Sequence, residues 1–149
     1  MTQGSIDLKI VTDRLDIVHA SVAELRALPA SDLQTFVADR RNIWAGDALL
    51  RRAIEALFDT ARHLLSKAHG RGGLEYREVA RLAAEHGLVR DAAHAAQLLK
   101  IAGFRNRLAH HYEEVSPGEI FEVIQHHLSE LDQLAEVLRQ AAERLARRA

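Results

Sequence analysis

The chain has 149 residues, 48% of them apolar and 28% charged, which suits one domain spanning 1–149 with its own core and excludes a disordered chain. Cysteine is absent, excluding disulfides, thiolate metal sites and a cysteine nucleophile, and this fits a reducing, cytoplasmic setting. A net charge of −1 does not advertise nucleic-acid binding, so any RNA site is expected to be local or built by two subunits. Asp7, Asp13, Asp16 and Glu24 interrupt the first thirty residues, so no signal peptide is expected there, and no apolar run approaches the roughly eighteen residues of a membrane span.

Only two prolines and eight glycines punctuate a chain dominated by Ala, Leu, Glu and Arg, which favours helix throughout. The first helix is expected from about Ile6 to Leu28, with Ile10, Leu15, Val18, Val22 and Leu25 at helical spacing. Pro29-Ala30-Ser31-Asp32 ends it, and Ser31 or Asp32 can cap the short segment Leu33 to Arg40 that leads to Asn42. A second long helix is expected from about Asp47 to Ala68, burying Leu50, Ile54, Leu57, Phe58, Ala61, Leu64 and Leu65. Gly70-Arg71-Gly72-Gly73 is a loop; a third helix, about Tyr76 to His86, stops at Gly87, and Asp91 caps a fourth. Ser116-Pro117-Gly118 breaks the chain before a last helix from about Glu119 to Arg147, carrying Ile120, Ile124, Leu131, Leu134, Leu138 and Leu145 on one side. About five helices with short breaks and no strand signal imply an all-α antiparallel bundle.

The fourth helix carries the chemistry: Arg105-Asn106-Arg107-Leu108-Ala109-His110-His111-Tyr112 packs an obligate cation, a near-neutral titrating group and a phenol into two turns. At about 100° per residue, Arg105 falls among Leu98, Ile101, Leu108 and Tyr112, inside an apolar stripe. An Arg there either snorkels past the core to a carboxylate or serves a site; the pattern alone leaves both open. His110 points about 140° away from Arg105 on an ideal helix. For both to serve one site, the helix ends near His110, Arg105 curls round on its stem, or a second subunit completes the site. Asn106 stacks one turn before His110 and can hold its ring, whereas Arg107 and His111 share the opposite, solvated side. Tyr112, about 20° from Arg105, also fits a core or interface aromatic with a wet hydroxyl.

Other polar groups are less specific. Arg40, Arg41, Arg51 and Arg52 form a basic cluster, and Arg144, Arg147 and Arg148 another, both readable as solvated helix faces. Glu55, Asp59 and His63, four apart, make a weak metal pattern and a better structural partner for an Arg. His126 and His127 diverge by about 100° on a helix and cannot chelate together. No phosphate loop, nucleophile elbow or zinc motif is present, so no metal or cofactor is expected.

Arg105 to Tyr112 resembles the Arg-x4-His-x-Tyr signature of the HepT-like (DUF86) ribonuclease toxins of the HEPN superfamily. Ala53 to Leu64 is similar to that family's E-x3-D-x3-H helix, and Tyr76 to Val89 to the segment that follows it, so about half the chain matches in the right order. The resemblance implies an all-helical homodimer in which two motifs meet in a cleft as a metal-independent RNA endonuclease, with Arg105 and His110 as the catalytic pair. It also implies that Tyr112 is modified with AMP by a partner antitoxin, an MntA-like minimal nucleotidyltransferase, in a type VII toxin–antitoxin system. One departure stands out: His111 sits between His110 and Tyr112. Residue chemistry fits, because RNA brings its own 2′-OH nucleophile, leaving proton transfer to a His and charge neutralisation to an Arg. The alternative is a non-catalytic HEPN-type substrate-binding subunit of a small nucleotidyltransferase, and a helical scaffold is the blandest reading.

Overall fold

The computed structural model describes residues 4–110 and 115–148. Among these residues every regular element is a helix: α1 (Leu8–Ala27), α2 (Leu33–Ala38), α3 (Arg40–His69), α4 (Tyr76–Glu85), α5 (Ala92–Ala109), α6 (Pro117–His126) and α7 (Leu128–Arg148). Seven helices replace the expected five, and no helix among the described residues is long and apolar enough to cross a membrane.

Helix α3 is the spine and touches every other helix, with α1 packed along it most extensively and α7 against both. Leu50, Ile54, Leu57, Phe58, Ala61, Leu64 and Leu65 of α3 are all buried, as their spacing predicts. Full burial of a Leu, Ile or Phe side chain supplies about 1.5–3 kcal/mol of transfer free energy, so this stripe anchors the bundle. On α1 the buried set is Val11, Leu15, Val18, Val22 and Leu25; Ile10 faces solvent and its neighbour Val11 takes the inward position.

Short acidic side chains start the helices. Asp7, Asp32, Asp39 and Asp91 each accept hydrogen bonds from first-turn backbone N–H groups, and the Ser116 hydroxyl accepts from Glu119 N–H at 3.2 Å. Gly70 (φ 65°) closes α3 in the left-handed region that glycine adopts at least cost.

Two boundaries depart from the sequence expectation. First, α3 starts at Arg40, capped by Asp39, seven residues before the expected Asp47. Asn42 and Gly46, inside these added turns, serve packing. Asn42 is buried and its Nδ2 donates to the Phe36 carbonyl at 3.2 Å, tying α2 to α3. A Cβ on Gly46 would sit 2.9 Å from Ile120 Cγ2, so glycine lets α6 lie close against α3. Second, the expected last helix is broken at His127 (φ −124°, ψ 0°). The break lets α6 lie on α2 and α3 while α7 turns to run along α1.

Candidate active site at the end of helix α5

Helix α5 buries Leu98, Ala102 and Leu108, and Arg105 emerges from that stripe only 16% exposed at its side chain. A guanidinium this deep needs partners. Its Nη2 donates to Glu55 Oε1 of α3 at 2.8 Å, and its Cζ lies 4.8 Å from the centroid of the Tyr76 ring, the first residue of α4. Arg62 approaches the same ring at 4.5 Å, and Phe58 tilts against it at 5.1 Å. The side chain is therefore anchored by a carboxylate, as the snorkelling reading expects, and by an aromatic face. It is also under-used: Nε is buried without a hydrogen-bond partner among the described residues. A guanidinium has five N–H donors, and the Glu55 contact uses one of those on Nη2.

Helix α5 ends at Ala109, and His110 is its C-cap, at φ −95° and ψ 27°, with its N–H donated to the Arg107 carbonyl at 3.2 Å. Its imidazole is exposed. Of the three geometries open to the sequence, the helix does end near His110, yet no described contact brings its ring to Arg105, which is turned towards α3 and α4. Asn106 is half-buried one turn before His110, and no hydrogen bond joins the two side chains among the described residues. Arg107 is on the solvated side, as expected, and pairs with Glu119 of α6 at 2.7 Å. His111 and Tyr112 lie outside the described residues.

The basic cluster holds a residue whose role the sequence does not reveal. Arg51 is not simply solvated: its Nε donates to Asp47 Oδ1 at 3.0 Å and its Nη2 donates to the Leu108 carbonyl. It thereby satisfies one of the open carbonyls in the last turn of α5 and fixes the helix end that carries His110. The need to satisfy carbonyls at a helix C-terminus is the one signal that could have pointed to an Arg on a neighbouring helix. Arg51, Leu108, Ile43, Trp44 and Pro117 help to line a small hollow of about 100 Å³ beside this end.

Glu55, Asp59 and His63 do not converge. Glu55 holds Arg105, Asp59 pairs with Arg62 at 3.0 Å, and His63 Nε2 accepts the Asp7 N–H at 3.2 Å. No cluster of three or more metal-ligating groups forms among the described residues. His126 and His127 likewise go to different carboxylates, Glu122 and Glu130.

Two histidines away from α5 couple the fold to pH. Burial holds the His63 ring below the ordinary histidine range, with the Arg14 and Lys67 charges acting the same way. Burial and the neighbouring His86, stacked at 4.2 Å, do the same to His69. A depressed folded pKa means the folded state binds fewer protons than the unfolded one, whose histidines titrate near ~6.5. Stability is thus full above ~6.5 and falls as pH drops through that value towards the folded pKa. Protonated His63 also loses its lone pair for the Asp7 N–H. The melting temperature is expected to fall between about pH 7.5 and 5.5, and to fall less in His63→Gln, whose amide oxygen accepts without titrating. An equal fall in that variant would show that His63 is not a titrating contributor.

A model of the HepT-like ribonuclease family matches residues 18–138. The chain is 29% identical over 90 residues to the mRNA nuclease HepT of Shewanella oneidensis, covering 60% of this chain and 67% of that protein. It superimposes with a TM-score of 0.77 on the tri-AMPylated Shewanella oneidensis HEPN toxin in complex with an MNT antitoxin, at 23% identity over 88% of this chain and 97% of that one. A toxin–antitoxin complex with AMP-PNP gives 0.76 at 22% identity, covering 87% of this chain and 97% of that one. At those identities the two structures speak for the fold. With the family match spanning most of its length on the fold of a HEPN toxin, the chain belongs to the HepT-like ribonuclease family.

Proposed function

We propose that the chain is the toxin of a toxin–antitoxin pair: a metal-independent RNA endonuclease, active as a homodimer, and neutralised by AMP on Tyr112 from an MntA-like nucleotidyltransferase antitoxin. The observation that carries this reading is the pairing, on one helix of a HepT-like chain, of a guanidinium anchored by Glu55 and an exposed His110 at the helix end. The relative's name as an mRNA nuclease supports RNA as the substrate, and the toxin–antitoxin complexes support the partner.

The chemistry is an in-line displacement at phosphorus. The 2′-oxygen attacks as its proton leaves to one His110, the P–O5′ bond breaks, and a protonated His110 gives the leaving 5′-oxygen its proton. The products are a 2′,3′-cyclic phosphate and a 5′-hydroxyl. Arg105 neutralises charge on the non-bridging oxygens with the donors that Glu55 leaves free. A homodimer supplies both imidazoles and removes the problem that His110 and Arg105 diverge on one helix. Asn106, on the His110 side, would hold that ring's orientation. AMP on Tyr112 would bring bulk and negative charge to a site built for phosphate.

The purified protein is expected to cut single-stranded RNA in the presence of EDTA and to leave cyclic phosphate ends. Co-expression with a partner nucleotidyltransferase should raise its intact mass by whole AMP units, and Tyr112→Phe should abolish the increase. A chain that binds such an enzyme but leaves RNA intact under every condition would instead be its non-catalytic binding subunit.

A further inference from the structure

Tryptophan occurs once in the chain, and it is not in the core: Trp44 is 60% exposed on the outer face of α3. Leaving the largest aromatic in water forgoes one of the largest burial gains a side chain offers. Ile43 and Gly46 beside it make the inward contacts of this turn. Its neighbours on that face are cationic. Arg40, Trp44 and Arg51, spaced by four and seven, fall within about 40° of one another on the helix and span roughly 16 Å. Between positions 39 and 52, Arg40, Arg41, Arg51 and Arg52 outweigh Asp39 and Asp47, leaving +2 on a chain whose net charge is −1. Arg41 and Arg51 are engaged by those two carboxylates, whereas Arg40 is exposed and makes no ion pair among the described residues.

The strip leads to the reaction centre proposed above. Trp44 shares its hollow with Arg51 and Leu108, and Arg51 is bonded to the Leu108 carbonyl, two residues before His110. An exposed aromatic flanked by arginines and abutting the imidazole-bearing helix end has the composition of a single-strand platform: a ring for a base face and guanidinium groups for the backbone. Ile43, Leu108, Pro117 and Ile120 line the hollow together with Asp47 and Arg51, and beyond it Arg40 and Arg41 stand one turn before Trp44, so the ring sits between an apolar hollow and a cationic strip.

We infer that the α3 face Arg40–Trp44–Arg51 is a substrate-binding track of the ribonuclease site, on which an unpaired base next to the scissile phosphate stacks against Trp44 while Arg40 contacts the strand's phosphates. The inference rests on the ribonuclease reading for its place in the reaction, but stacking can be measured without turnover. Because Trp44 is the only tryptophan, intrinsic fluorescence reports on it alone. In the His110→Ala protein, which spares the RNA, a short oligouridine is expected to quench that emission, and an abasic oligomer of equal length and charge is not. Trp44→Ala should weaken oligouridine binding about tenfold, measured by anisotropy of a labelled strand, and Trp44→Phe should recover most of the loss. In the active protein the same change should raise KM about tenfold with much less effect on kcat.

Quenching by the abasic strand as strong as by oligouridine, or a Trp44→Ala protein with wild-type KM, would overturn the track. So would a change of oligomeric state in Trp44→Ala, which would make the face a protein interface. If the wild-type chain cleaves no RNA while base-dependent quenching persists, the ribonuclease reading fails and the stacking site stands.

Discussion

His110→Ala is expected to lower RNA cleavage by at least about 100-fold, the usual range for losing a group that moves a proton in the transition state, and to relieve growth arrest on induction. The expectation is selective, because His110 is exposed at a helix end and, among the described residues, its bond to the helix is made by its backbone N–H. Removing an exposed imidazole there should change folding stability by no more than about 0.5 kcal/mol. Loss of activity would therefore mean lost chemistry. His111→Ala is the necessary companion, since two adjacent histidines follow Ala109. If both substitutions leave cleavage intact, neither imidazole acts; if only His111→Ala is inactive, the assignment moves by one residue. The pH dependence supplies a second readout. A dimer that uses one imidazole as base and one as acid should give a bell-shaped kcat/KM profile, and a single titrating limb would mean that only one role is filled by histidine.

The legible part of this protein is the part written in periodicity and caps. The α3 stripe from Leu50 to Leu65, the Gly70–Gly73 loop, the Asp91 cap and the stop at Gly87 follow from local rules and stand as expected. What local rules cannot see is one helix pressing on another. No periodicity shows that Gly46 lies under Ile120, or that Asn42 reaches back to the Phe36 carbonyl. The turn at His127 contains neither glycine nor proline, so only the need of α6 and α7 to follow different neighbours explains it. The same division runs through the candidate site. Arg105 and His110 are visible as residue types on a spacing, and the helix wheel already shows that they diverge. Glu55 is read from the sequence as a partner for an Arg, but that the Arg is Arg105, and that Tyr76 and Arg51 also meet α5, emerges only in three dimensions.

The contact between Arg105 and Glu55 has two readings, and one pair of variants separates them. If the guanidinium is only a structural strut, removing either end should do similar damage, and activity should track stability. If Arg105 serves the phosphate and Glu55 only holds it, the two ends are unequal. Arg105→Ala is then expected to lower kcat/KM by about 100- to 1,000-fold, the range for losing one charge-stabilising donor group at a developing oxyanion. Arg105→Lys should recover little of this. A lysine keeps the charge but is a single ammonium on a flexible stem, unable to hold Glu55 and present a planar fork to phosphate at once. Glu55→Gln leaves an acceptor oxygen of nearly the same shape for Nη2, so it should cost less than about tenfold. Glu55 is 43% exposed and Arg105 16%, so the pair is screened only at its Glu55 end; neither substitution is expected to unfold the bundle, and thermal unfolding of each variant checks this. Losses of equal size in Arg105→Ala and Glu55→Gln, matched by equal drops in melting temperature, would return Arg105 to the structural role. A large loss for Arg105→Ala with Glu55→Gln nearly active would place the guanidinium on the substrate.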